Sequence, residues 1–300
     1  MFLHVYELRH ALRGFQGSVR EAVPLAPMTH LRIGGPAAFF LEPKTEADVG
    51  MLVRAAREFD QPIHMLGGGS NIVVADDGVP GLTVSLVHLN RVMRDELRIT
   101  AGAGVTLPSL IRGTKDLGLA GFELLIGIPA VVGGAVAMNA GTRDTEMFER
   151  LVSVTVVDED GEIRVLARDQ TQPKYRNGGF GKMIVVQATF ELEKDDPPAI
   201  FARMEVSLKR RNATQPVTQK SVGCVFQNPE GHAAGRLIEE AGCKPLRRGK
   251  VVVSDRHANY FVNEGGGTSQ DFLDLVQDVR DRVAAKFDVD LCPEVKIWGG

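Results

Sequence analysis

The chain is 300 residues long, 44% hydrophobic and 24% charged, the balance of a folded globular protein rather than a disordered one. Lysine and arginine number 35 against 38 aspartates and glutamates, a net charge of −3 that offers no electrostatic footprint for nucleic acid or an anionic membrane. At about 150 residues per domain, this length corresponds to roughly two domains.

In chain order, residues 1–14 carry scattered charges and no continuous apolar stretch, so they do not read as a signal peptide. Thr45 with Asp48 makes a capping-box pattern ahead of Val49, Leu52, Val53, Ala56 and Phe59, which recur at helical spacing. Strands are expected over 72–75, 82–86 and 97–101, then a helix over 106–117 stopped by Gly118. Runs at 152–157 and 162–166 flank Asp158-Glu159-Asp160-Gly161 and predict a hairpin. After a strand over 183–192, Asp196-Pro197 supplies an N-cap and first turn for a helix reaching about residue 212. A short helix over 233–241 stopped by Gly242 and strands over 251–254 and 260–263 follow. Thr268 and Asp271 then open a helix with Phe272, Leu275, Val276, Val279, Val283 and Phe287 on one face. Strands and helices alternate without a strict βαβ repeat, so the fold class is read as α+β. The charged, proline-containing stretch 193–198 is the best boundary.

No apolar run approaches the roughly 20 residues of a membrane-spanning helix. Cys224, Cys243 and Cys292 have no CxxC spacing, and the histidines have no metal-ligand spacing, so neither a disulfide framework nor a metal site is expected. A cytoplasmic monomer with no nucleic-acid or membrane partner is the expectation.

The glycines carry most of the information. Gly67-Gly68-Gly69-Ser70-Asn71 can be a strand-connecting turn, or a nest of backbone N–H groups suited to phosphate. It is neither GxxxxGK[ST] nor GxGxxG. Residues 127–141, GIPAVVGGAVAMNAG, contain Gly127, Ile128, Pro129, Gly133, Gly134, Asn139 and Gly141 and almost no charge. A solvated loop would be polar, so this segment either packs backbone against backbone or faces something flat. Neither segment holds a lysine, which fits a dinucleotide pyrophosphate bound by amides rather than by a cation.

The order Thr29-His30-Leu31-Arg32-Ile33-Gly34-Gly35-Pro36, then GGGSN, then GIPAVVGGAVAMNAG resembles the UDP-N-acetylenolpyruvoylglucosamine reductase (MurB) family, in its shorter form without an extra tyrosine-bearing loop. The resemblance covers about 29–299 and implies FAD and NADPH as cofactors and a UDP-sugar as substrate. It also implies a PCMH (vanillyl-alcohol oxidase-like) FAD-binding domain in two lobes and a C-terminal α+β substrate domain. The corresponding limits are 1–28 for an N-terminal segment, 29–195 for the FAD domain (lobes 29–90 and 91–195) and 196–300 for the substrate domain.

Catalytic positions follow from the same resemblance. Tyr175-Arg176 stands where the family has its Tyr-Arg pair, Glu294 in Pro293-Glu294-Val295 where it has its C-terminal glutamate, and Asn228 at a position that touches the sugar nucleotide. Cys224 in Gly223-Cys224-Val225-Phe226-Gln227-Asn228-Pro229 replaces the usual serine. The implied chemistry passes hydride by way of FAD N5 to C3 of the enolpyruvyl ether and a proton from Cys224 to C2. Arg176 and Glu294, the latter as a hydrogen-bond donor, stabilise the charge between the two steps. Tyr175 joins Asn228 in binding substrate. Gly178 stands where the family usually has serine, and Gln227 where it has lysine. Arg211 and Lys220 could meet a diphosphate but read more simply as solvated charges. Two other readings are an oxidase on the same FAD scaffold, needing no nicotinamide, and a flavin-binding protein without chemistry.

Overall fold

Both capping boxes form in the structure, a computed structural model that describes residues 5–299. Thr45 accepts from the Asp48 amide at 3.0 Å while the Asp48 carboxylate accepts from the Thr45 amide at 3.0 Å. Thr268 and Asp271 repeat this at 3.0 and 3.1 Å. The helices are α1 (Val5–Ala11), α2 (Glu46–Glu58), α3 (Leu107–Asp116), α4 (Val132–Ala137), α5 (Pro197–Thr214), α6 (Ala234–Glu240) and α7 (Ser269–Phe287). Gly118 at φ +67° and Gly242 at φ +72° lie just beyond α3 and α6, the left-handed conformation that ends a helix cheaply only with glycine. The expected 158–161 hairpin is present, with Ile163 opposite Val157. Helices and mostly antiparallel sheets in this arrangement make an α+β fold.

The second glycine segment contains a helix that its glycines conceal in the sequence. Val132–Ala137 closes into a short helix, α4, on the strand Ile184–Glu191. Small residues let it settle against the sheet, burying Val132, Gly133, Ala135 and Val136.

Chain contacts define two compact units. One comprises the stretch ending at Glu21, Phe39–Gly68 and Gly81–Lys209; the other comprises Ala22–Ala38, Gly69–Pro80 and everything from Arg210 onward. The first unit has two apolar cores. One lies around α2 with Leu41, Leu52, Leu82 and Val84, and the other around α3 and α4 with Phe122, Val154 and Phe190. Its five-stranded antiparallel sheet runs in the order Ile163–Ala167, Leu151–Val157, Ile184–Glu191, Arg98–Gly102, Val92–Asp95.

The second unit is built on an antiparallel sheet ordered Ser221–Cys224, Tyr260–Asn263, Val251–Val253, Arg247–Arg248. Phe226, Phe261 and Phe272 are fully buried in its core, with ring centroids 6.0 and 5.6 Å apart along the row. The strand Lys296–Trp298 pairs in parallel with Ile72–Val74. Removing the α7 cap by Thr268→Ala should cost about 1 kcal/mol. Phe272→Ala, which empties the middle of the core, should cost about 3–5 kcal/mol, both read from urea unfolding midpoints.

Candidate active site

In the first unit the two glycine segments meet. A side chain at Gly68 would stand 2.7 Å from the Pro129 carbonyl, so the 67–68 turn needs glycine to lie on the 127–130 segment. Gly133 is equally constrained, since a Cβ there would stand 2.8 Å from the Ala103 Cβ. The amides of Val132 and Gly133 donate to the carbonyls of Val105 and Ala103 at 2.8 and 2.9 Å, so the entry to α4 is stitched to the neighbouring backbone. Gly134 is different. A Cβ there would meet only the Val131 side chain at 4.0 Å, so no protein atom demands glycine at this position. Asn139, buried at φ +42°, donates its side-chain amide to Glu146 at 2.8 Å and accepts from the Phe148 amide at 3.4 Å.

Arg176 is tied to this same segment. Lys174 and Asn177 exchange backbone hydrogen bonds at 2.7 and 3.0 Å around a tight turn, which places Arg176 at φ +57°. Its guanidinium lies 4.7 Å from the centroid of the exposed Tyr175 ring and donates to the Gly141 carbonyl at 3.2 Å. The Gly178 amide donates to Ala137 at 2.9 Å, and a Cβ on Gly178 would fall 2.4 Å from the Val136 carbonyl. That contact accounts for glycine here instead of serine: the turn is pressed onto the end of α4.

In the second unit Gly69, Ser70 and Asn71 come together with the C-terminal motif. Gly69 takes φ +66° beneath the Met28 carbonyl. Asn71 donates its side-chain amide to the Glu294 carbonyl at 3.3 Å and accepts the Lys296 amide at 3.0 Å. The Val225 carbonyl accepts the Glu294 amide at 2.7 Å, so Cys224 and Glu294 leave adjoining backbone. Asn259 fixes this crossing from below: its side chain accepts from the Phe226 amide at 2.9 Å and donates to the Phe226 carbonyl at 2.8 Å. The exposed Asn228 accepts the Ala234 amide at 3.0 Å ahead of α6. Of the three cysteines, Cys224 is half-buried, Cys243 buried and Cys292 exposed.

One residue here is not evident in the sequence pattern, and another has a setting different from its reading as a solvated charge. Tyr260 lies opposite Cys224 in the sheet and is 6% exposed. Burial first, and then the neighbouring Cys224, raise its hydroxyl well above the ordinary phenol range. Arg211 is half-buried rather than solvated, and its charge acts on Tyr260. Only the register of Ser221–Cys224 against Tyr260–Asn263 reveals the pairing of Tyr260 with Cys224, and register between strands so far apart in sequence has no local signal.

Residues 37–167 match the family model of an FAD binding domain. The structure overlays berberine bridge enzyme with TM-score 0.51 at 18% identity, over 64% of this chain and 44% of that one, a likeness of fold. The chain therefore carries an FAD-binding domain of the PCMH type, joined to a C-terminal α+β portion. Residues 215–298 match the model of the UDP-N-acetylenolpyruvoylglucosamine reductase C-terminal domain. UDP-N-acetylenolpyruvoylglucosamine reductase of Moorella thermoacetica is 40% identical over 287 residues, 95% of each chain. That of Myxococcus xanthus is 41% identical over 291 residues, 94% of this chain and 92% of the relative. The crystal structure of UDP-N-acetylenolpyruvylglucosamine reductase (MurB) from Thermus caldophilus superposes with TM-score 0.80 at 35% identity, over 95% of this chain and all of that one. The chain belongs to the UDP-N-acetylenolpyruvoylglucosamine reductase (MurB) family, whose enzymes use FAD and NADPH.

The glycines at 133 and 134 give opposite expectations. Gly133→Ala forces the Ala103 contact and should destabilise the first unit, whereas Gly134→Ala should stabilise α4 by about 0.5–1 kcal/mol, as alanine does in a helix interior. Thermal unfolding of the flavin-free proteins measures both.

Proposed function

We propose that this protein reduces UDP-N-acetylglucosamine enolpyruvate to UDP-N-acetylmuramate, a peptidoglycan precursor, with NADPH as reductant. The observation that carries the reading is similarity to reductases of this name along nearly the whole chain, 95% of it in the Moorella thermoacetica relative. When bound, FAD supplies hydride transfer from NADPH to C3 of the enolpyruvyl ether. The residues fit such a group: the 67–71 and 127–141 segments are nearly uncharged, and Gly134 is bare where no protein atom requires it. These segments would hold FAD through Gly67, Gly68, Gly69, Ser70, Asn71, Gly127, Ile128, Pro129, Gly134, Gly141 and the backbone around Gly133 and Asn139. We read 29–195 as the FAD-binding portion, 196–300 as the substrate-binding portion, and the protein as a cytoplasmic monomer. Among the described residues no helix is long and apolar enough to cross a membrane.

The chain's own residues handle charge and proton. Hydride arriving at C3 leaves negative charge at C2 that spreads into the carboxylate. Arg176, permanently charged and held by Tyr175 and Gly141, pairs with that carboxylate. A fixed cation of this kind in a water-poor site contributes about 3–4 kcal/mol to lowering the barrier. Glu294, protonated, donates a hydrogen bond to the same intermediate. Cys224 gives its proton to C2, and Tyr175 and Asn228 orient the substrate. A free thiol has a pKa near ~8.5, far below an alcohol, so it is the easier acid but fails as a donor once ionised.

NADPH oxidation under anaerobic conditions, with and without the enolpyruvate, tests the reaction. Repeated turnover only with the enolpyruvate is expected; reduction that stops after one equivalent in both samples means a different electron acceptor. Cys224→Ser should keep substantial activity and lose the alkaline limb of the pH profile. Cys224→Ala should lose at least about a hundredfold, the scale of general acid catalysis. Wild-type turnover in the alanine variant would remove Cys224 from the reaction. Gly134→Ala, stabilising without flavin, should purify with less bound flavin, read from its visible absorbance.

A further inference from the structure

Tyr260 has no part in the reaction described so far, yet it faces the residue that carries the proton. It is paired directly with Cys224 in the antiparallel sheet, which puts the two side chains on one face as cross-strand neighbours, and the sulfur acts on its hydroxyl. The ring is buried, 6% exposed, and meets His257 edge-on with centroids 4.8 Å apart. Cys224 itself is half-buried, and Glu294 leaves the backbone that is hydrogen-bonded to Val225.

Proton donation creates a problem that Tyr260 is placed to solve. Once the proton has moved to C2, a thiolate remains in a partly buried site, where an unpaired charge is strongly disfavoured. A neutral donor aimed at the sulfur stabilises that thiolate, and hydrogen bonds to charged acceptors are the strong ones. The charged and titratable groups around the pair come from three elements. Arg211 lies on α5, Glu294 on the C-terminal segment, and His257 in the turn before Tyr260. Burial, and next Lys244, hold His257 below its ordinary value, while Glu239 acts in the opposite sense. Arg211 is the cation among the groups acting on Tyr260, and its Nε is buried without a hydrogen-bond partner.

We propose that Tyr260 is a positioning residue for proton transfer: its hydroxyl holds the Cys224 sulfur and stabilises the thiolate formed there, with Arg211 as the balancing cation. The inference rests on the reading of Cys224 as proton donor. In the step, the electron pair of the enolate-like intermediate forms the C2–H bond and the S–H bond breaks with its pair left on sulfur. The thiolate regains a proton from solvent before the next turnover. Tyr260 keeps its own proton throughout, consistent with the burial that raises its hydroxyl.

The test is Tyr260→Phe in the flavin-loaded protein, which preserves the ring and removes only the hydroxyl. Iodoacetamide alkylation is followed against pH on the Cys224 peptide by mass spectrometry, so that the exposed Cys292 does not contribute. The midpoint should rise by about one pH unit, equivalent to about tenfold less thiolate below it. Turnover should fall by roughly tenfold with KM unchanged, the signature of an interaction made after substrate binds. Arg211→Gln should move the alkylation midpoint the same way, and it carries the test should Tyr260→Phe fail to fold. An unchanged midpoint and turnover in Tyr260→Phe, with Cys224→Ala inactive, would overturn the role of Tyr260 and leave Cys224 as donor. A Cys224→Ala enzyme that still turns over would instead remove the donor, and with it the catalytic consequence of a shifted midpoint.

Discussion

The geometry of the second unit hangs on one carbonyl. Val225 accepts the Glu294 amide at 2.7 Å and the Val295 amide at 3.4 Å, while its own amide donates to Asn259 at 2.8 Å. These bonds join the strand bearing Cys224, the turn before Tyr260 and the chain leading to Glu294, three pieces distant in sequence. Asn259 is 2% exposed and uses its side chain on both the amide and the carbonyl of Phe226, so the crossing is fully satisfied where water cannot reach it. Buried backbone groups without partners are expensive, and that cost makes this arrangement specific. A displacement of Glu294 relative to Cys224 would have to break it.

The first unit solves a different problem, holding a long cation still. An arginine side chain loses considerable rotamer freedom when ordered. Here the turn from Lys174 to Asn177 fixes the backbone, the Tyr175 ring covers the guanidinium, and Gly141 accepts from it. The ordering is built into the fold, and under the proposed reaction preorganisation of this kind is what would give the charge its catalytic value. Gly178 serves the same end: it can press against the Val136 carbonyl only because it has no side chain.

Much of this was legible locally. Capping boxes at Thr45 and Thr268, helix stops at Gly118 and Gly242 and the 158–161 hairpin depend on residues a few positions apart, and the motifs around Tyr175, Cys224 and Glu294 are contiguous. The strands Ser18–Pro24, Pro36–Glu42, Ile63–Met65 and Lys296–Trp298 were not foreseen. The first carries Arg20 and Glu21 with an irregular burial pattern, and the last two are only three residues long and exist through their partners. Helix α4 was hidden because glycine is a poor helix former, and tertiary packing overrides that preference. Tyr260 was hidden for a related reason: its significance is a matter of strand register, not of neighbours in sequence.

The parallel pairing of Lys296–Trp298 with Ile72–Val74 also has a consequence in time. The second unit is assembled from Ala22–Ala38, Gly69–Pro80 and the chain from Arg210 onward, so two of its pieces are synthesised long before the rest. During translation the Ile72–Val74 strand must wait for its partner while nearly all of the first unit emerges. Glu294 reaches its place only once Lys296–Trp298 has emerged, because that strand closes against Ile72–Val74. Contacts spanning so much chain are the slow ones to form. The placement of Glu294 is thus a late event in synthesis, tied to a strand far downstream of its partner.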